Sequence, residues 1–141
     1  MGKISFTNAD IKFSLKNKRA IAQWIAETIE KEKKESGQIA YVFCSDEFLL
    51  DINQRFLNHN TYTDIITFDY SEGKTLNGEI YISIDRVKEN ASKFEVDFEK
   101  EILRVIIHGA LHLAGYKDKT KVQKQKMRKK EDKYLSIYKN S

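Results

Sequence analysis

The chain has 141 residues, 40% of them hydrophobic, and 25 Lys or Arg against 21 Asp or Glu give it a net charge of +4. That length suits a single domain, 1–141, with a core of its own. Neither a run of about eighteen apolar residues nor an apolar leader in M-G-K-I-S-F-T is present, which argues against a membrane span or secretion and for a cytoplasmic protein.

In chain order, Lys3 to Thr7 reads as a short strand and Lys18 to Glu35 as an amphipathic helix with Ile21, Trp24, Ile25, Thr28 and Ile29 on one face, ended by Ser36-Gly37. Ile39 to Cys44 is a second strand. Its cysteine is the only one in the chain, so no internal disulfide is possible and a buried, inert thiol is expected. Ser45-Asp46-Glu47 caps a second helix bearing Phe48, Leu49, Ile52 and Phe56. After the polar link N-H-N-T-Y-T-D come two strands, Ile65 to Tyr70 and Glu79 to Ile84, joined by S-E-G-K-T-L-N-G. In the later strand Ile80, Ile82 and Ile84 alternate with Glu79, Tyr81 and Ser83, the pattern of a half-buried strand. Asp85 to Phe94 reads as a third helix, Asp97 caps a long fourth, and about Lys121 to Tyr138 forms a charged fifth with a thin apolar stripe. This order predicts an α+β domain in which helices cover a small mixed four-stranded sheet.

The fourth helix carries the chemistry. Two of the three histidines, His108 and His112, stand four residues apart in H-G-A-L-H-L-A-G-Y-K-D, which puts both imidazoles on one helix face, one turn apart. The segment from Ile102 to Leu113 is apolar on nearly every side, so each ring needs a partner away from water. Gly115 ends the helix and turns the chain back, and Asp118 follows as a third donor. Three protein ligands with one open position describe a catalytic zinc site, one ion per chain.

Such a zinc lowers the pKa of a bound water to about 7 and so supports hydrolysis. The helical peptidase signature H-E-x-x-H places its general base beside the first histidine, where this chain has Gly109, which speaks against proteolysis. Phosphodiester hydrolysis fits better, because from Lys119 to the end there are nine Lys or Arg against two acids. A basic segment beside a metal suits RNA, and Lys119 and Lys121 are candidate phosphate contacts. Two other readings remain: a zinc peptidase, and a non-catalytic RNA- or ribosome-binding factor whose zinc is structural.

The blocks N-x-x-F at Asn53 to Phe56, T-D-I-I-T-F at Thr63 to Phe68, N-G-E-I at Asn77 to Ile80 and His108 to Asp118 resemble, in that order, those of the YbeY family of bacterial endoribonucleases. The resemblance implies a zinc-dependent, single-strand-specific endoribonuclease of ribosomal RNA processing, notably at the small-subunit 3′ end, with a part in ribosome quality control. It also implies a zinc-protease-like metal helix. A ribosome-associated GTPase and a small-subunit ribosomal protein are implied partners. His108 and His112 match the family's first two histidine ligands. Asp118 stands where the family has a third histidine, and Leu57 where it has an arginine, with Arg55 two residues earlier. His59 falls where a lysine is frequent and is a candidate for phosphate binding. Thr63 and Asp64 are expected to fix the turn into the third strand, and Glu79 is a candidate to orient a ligand or the water.

Overall fold

A computed structural model describes residues 2–139; Met1 and residues 140–141, the ends of the expected domain, lie outside the described residues. The elements run β1 (Lys3–Asn8), α1 (Lys18–Lys31), β2 (Glu35–Cys44), α2 (Asp46–Leu57), β3 (Ile65–Asp69), β4 (Thr75–Ser83), α3 (Ile84–Lys93), α4 (Phe98–Leu113) and α5 (Lys121–Lys139). The strands form one mixed sheet in the order β1-β2-β4-β3, with β1 and β4 parallel to β2 and β3 antiparallel to β4. The fold is α+β, a four-stranded mixed sheet covered by helices. No helix among the described residues is long and apolar enough to cross a membrane.

The main core lies between the sheet and α1 and α4. Tyr41, Phe43, Ile80 and Ile82 from the sheet meet Trp24 and Ile25 of α1 and Ile106, Ile107 and Ala110 of α4. Each fully buried side chain of this size stabilises the fold by about 1.5–3 kcal/mol relative to exposure. Two of the polar groups buried there are paired: Tyr41 Oη donates to the Ile106 carbonyl at 2.8 Å, and Trp24 Nε1 to that of Tyr134 at 2.8 Å. A smaller cluster of Cys44, Leu49, Ile52 and Ile66 holds α2. There the Cys44 thiol, wholly buried, is pushed up to about 12 by burial and then by the charges of Asp10, Asp46 and Asp85, so it is inert at neutral pH.

Three boundaries differ from the expectation. Helix α1 stops at Lys31, and Lys33 takes a left-handed turn at φ 66°, so Ser36 and Gly37 belong to β2. A strand can start there because the register shifts between Ser36 and Ile39. At that shift Gly37 sits against Asn77, whose Oδ1 accepts the Gln38 N–H at 2.7 Å. Strand β4 begins at Thr75, so T-L-N-G, expected as loop, is strand: Thr75 and Leu76 pair with Glu35 and Ser36 of β2, and Gly78 lies between Ile39 of β2 and Asp69 of β3. Ile84 opens α3 instead of closing β4, because Ser83 caps that helix, its Oγ accepting the Arg86 N–H at 3.1 Å. Asp97 precedes α4 with extended backbone but makes no side-chain cap bond.

Helix α4 ends as a glycine-terminated helix should. Gly115 has φ +111°, its N–H donates to His112 O and that of Tyr116 to Leu111 O, both at 3.1 Å, which is the Schellman arrangement. The chain then turns into α5 through a capping box. Thr120 Oγ1 accepts from Gln123 N at 3.1 Å, and Gln123 Oε1 accepts from Thr120 N at 3.0 Å. These two caps place Asp118 and the start of α5 beside the end of α4.

Candidate active site

Helix α4 forms the floor of an open cleft of about 710 Å³, lined also by the 58–64 link, the start of β3, the ends of α2 and α3, and one side of α5. His108, His112 and Asp118 all line it. The two imidazoles lie nearly parallel, 9° apart, with centroids separated by 6.3 Å, as one helical turn dictates. Gly109 points into the sheet, not the cleft. A Cβ there would lie 2.9 Å from Ile80 Cγ2, so α4 packs directly on the strands and no side chain fits at the position where a peptidase carries its base.

His108 is held on both sides. Its Nδ1 donates to Glu131 Oε2 of α5 at 2.7 Å, and its Nε2 lies 3.2 Å from Asp118 Oδ2. Glu131 is itself buried and takes Arg104 Nη1 on its other oxygen at 2.9 Å, while Arg104 Nη2 reaches Asp132 at 2.8 Å. Burial opposes charging of His108, but the hydrogen bond and charge of Glu131, with the charges of Asp118 and Asp64, outweigh it and hold the His108 pKa above its ordinary value. Asp64, on the same cleft wall, is shifted upward, first by burial and also by Glu131 and Asp118, with His108 opposing. Burial likewise raises Glu101.

A carboxylate on Nδ1 fixes the proton there and leaves Nε2 as the nitrogen that can bind a metal, the carboxylate–histidine pairing of metal sites. His112 Nδ1 is buried and has no hydrogen-bond partner, an orphaned donor-acceptor atom that a bound cation beside it would explain. Among the described residues, however, no three His, Cys, Asp or Glu side chains converge closely enough to hold an ion as they stand. The fit to zinc therefore rests on donor chemistry, two imidazoles and a carboxylate with an orienting glutamate, and on the unpartnered His112 nitrogen.

The other residues singled out from sequence divide. His59 and Lys119 line the cleft, both exposed, and Leu57 reaches it from the end of α2. Lys121, also exposed, opens α5 and is not among the lining residues. Arg55 pairs with Asp51 at 3.1 Å, away from the cleft. Glu79 is not among the lining residues either; Tyr70 Oη donates to it at 3.3 Å. Thr63 Oγ1 donates to the Ile65 carbonyl at 3.3 Å, and the Asp64 carbonyl accepts Ser83 N at 3.0 Å, which pins the link to the sheet. Sequence reading missed Glu131, Arg104, Arg128 and Glu101. Glu131 had one readable signal: it shares a helix face with the apolar Met127 and Tyr134, and an acid on such a face needs a buried partner.

An α+β domain that gathers a His-x-x-x-His pair, carboxylates and arginines in one open cleft has the layout of a hydrolytic enzyme for a polyanionic substrate. Comparison with known proteins narrows the class. The profile of the family described as Endoribonuclease YbeY matches residues 3–139. A protein of Flavobacterium psychrophilum named Endoribonuclease YbeY is 50% identical over 135 residues, covering 96% of each chain. One of the same name from Flavobacterium johnsoniae is 46% identical over 131 residues, covering 93% of this chain and 94% of that one. The solution structure of TM1509 from Thermotoga maritima superposes with a TM-score of 0.68 at 30% identity, covering 96% of this chain and 89% of the other. The chain belongs to the YbeY family of endoribonucleases, enzymes that cleave RNA phosphodiester bonds.

Proposed function

We propose that this protein is a zinc-dependent endoribonuclease, specific for single-stranded RNA, that matures ribosomal RNA at the small-subunit 3′ end in the cytoplasm and takes part in ribosome quality control. The observation that carries the reading is His108, oriented by Glu131 and facing Asp118, beside the unpartnered His112 Nδ1 in a cleft that also holds cationic side chains. His108, His112 and Asp118 are the residues that would hold one zinc, and the ion would supply Lewis-acid activation of water toward the phosphodiester.

The protein's own groups do the rest. Glu131 keeps the His108 proton on Nδ1 and its ring in place. Arg104, committed to Glu131 and Asp132, holds that glutamate. The cation that Leu57 lacks comes from Arg128 and Lys119, which line the cleft and are exposed, with Lys121 and His59 as further phosphate contacts. Single-domain folding over 1–141 and binding of a ribosome-associated GTPase and a small-subunit ribosomal protein belong to the same reading. The test is zinc-loaded protein on a single-stranded oligomer spanning the small-subunit 3′ end, beside the same sequence in a duplex. Cleavage of the single strand alone is expected; no cleavage of either in zinc refutes the reading.

A further inference from the structure

Exposed aromatic side chains stand at the cleft where nothing in the core accounts for them. Phe94 is 56% exposed and Tyr62 is 49% exposed, both line the cleft, and neither packs into the hydrophobic clusters. A lone exposed aromatic is unremarkable on a protein surface; two on the wall of the active cleft are not. Their supports differ. Tyr62 is preset: the Arg86 guanidinium lies 5.2 Å from its ring centre, its Oη donates to Glu47 at 3.4 Å, and Arg86 is in turn held by Asp46 at 2.8 Å. The Tyr62 backbone belongs to a link tied down by Asn53, whose Nδ2 donates to the Thr61 carbonyl at 2.8 Å. Phe94 caps the C-terminal end of α3, its N–H on the Asn90 carbonyl at 2.9 Å, so its ring is carried by a helix end.

Helix α4 packs against α3 and against α5, so Phe94 reaches the cleft from one neighbour of α4 and Arg128 from the other. The cleft thus offers π-faces and cations from different elements. That combination suits a strand whose bases are free to splay from its backbone, and it gives nothing to a duplex, whose bases are already paired and stacked. Resting on the endoribonuclease reading, we propose that Phe94 and Tyr62 are stacking platforms for unpaired bases of the RNA, with the flanking phosphates toward Arg128 and Lys119. They are positioning residues that select single strands.

The experiment compares cleavage kinetics of zinc-loaded parent, Phe94→Ala, Phe94→Trp, Phe94→Leu and Tyr62→Ala on one single-stranded oligomer. Thermal midpoints serve as the folding control, which the exposed Phe94 variants pass. Loss of one stacked base corresponds to roughly a five- to 150-fold rise in KM by alanine substitution, with kcat changed far less. Phe94→Trp restores the parent KM and Phe94→Leu does not. A parent-like KM in Phe94→Ala, or equal rescue by leucine and tryptophan, overturns the inference while leaving the nuclease reading in place. A parent that cleaves no RNA overturns both.

Discussion

Glu131 is the residue whose replacement tests the site's construction most sharply. Its side chain is only 7% exposed, and each carboxylate oxygen serves a different donor, Arg104 Nη1 at 2.9 Å and His108 Nδ1 at 2.7 Å. Glu131→Gln keeps the shape but has one acceptor oxygen for two donors, and its amide NH₂ turns a third donor on whichever is left. One buried donor goes unsatisfied at a cost of about 1–3 kcal/mol. Arg104 still has Asp132 for its other nitrogen, so a central value of about 2 kcal/mol applies, a fall in thermal midpoint of roughly 5–10 °C for a chain of this size. If the variant settles with its oxygen on Arg104, His108 loses the group that fixes its proton on Nδ1, and zinc affinity drops about 10- to 100-fold. Urea unfolding gives the first quantity and competition with a chromophoric chelator the second. A Glu131→Gln variant unchanged in stability refutes the burial argument, and Glu131→Ala, which leaves His108 no oxygen in either arrangement, refutes the orienting role of Glu131 if it is folded and binds zinc as the parent does.

Other parts of the structure give expectations of their own. Glu32, 10% exposed, accepts hydrogen bonds from Tyr116 at 2.6 Å, from Lys130 at 3.1 Å and from Tyr134. Burial works to raise its pKa, but these three partners outweigh it and hold Glu32 below its usual 4.5, so it stabilises the fold above about pH 4.5 and that contribution is lost as pH falls through the depressed value. Glu32→Gln is therefore expected to unfold at lower urea than the parent at pH 7, with the gap closing as acid protonates Glu32; a gap that widens in acid contradicts the sign. Gly109→Ala puts a Cβ 2.9 Å from Ile80 Cγ2 and 3.2 Å from Ile65 Cδ1, overpacking worth about 1–3 kcal/mol against about 1 kcal/mol gained in helix propensity. Net destabilisation in a urea titration is expected, and a stabilised variant contradicts the close helix–sheet contact. Lys121, Lys124 and Arg128 recur at helical spacing along one flank of α5 and are all exposed. Replacing all three with Gln is expected to reduce the slope of log affinity against log salt for single-stranded RNA by up to about 2, and an unchanged slope removes α5 from the interface.

Most of the element order and the histidine pair of the candidate site were legible in the sequence because short-range signals set them. The spacing of His108 and His112, the apolar run around them and Gly115 all act within α4, and the alternation of Ile80 and Ile82 acts within β4. What was not legible depends on contacts between elements. T-L-N-G carries turn residues and becomes strand because the start of β2 pairs with Thr75 and Leu76, with β3 joining only at Gly78. Ser36 and Gly37 look like a helix stop, yet the helix had already ended and the glycine serves a bulge against Asn77. Glu131 stands 23 residues beyond His108, and nothing local says that α5 folds back to place it there. The same holds for Phe94 and Tyr62, which share the cleft only through the packing of α3 and the 58–64 link beside α4.

On the function proposed above, the cleft over α4 cuts RNA through the His108 site. Its most direct test is cleavage of single-stranded ribosomal RNA by zinc-loaded parent and by His108→Ala, once the variant has been shown to be folded. Cleavage by the parent is expected, with a loss of at least about 100-fold in the variant, the scale on which a group central to transition-state stabilisation acts. A folded His108→Ala protein that cuts as fast as the parent contradicts it.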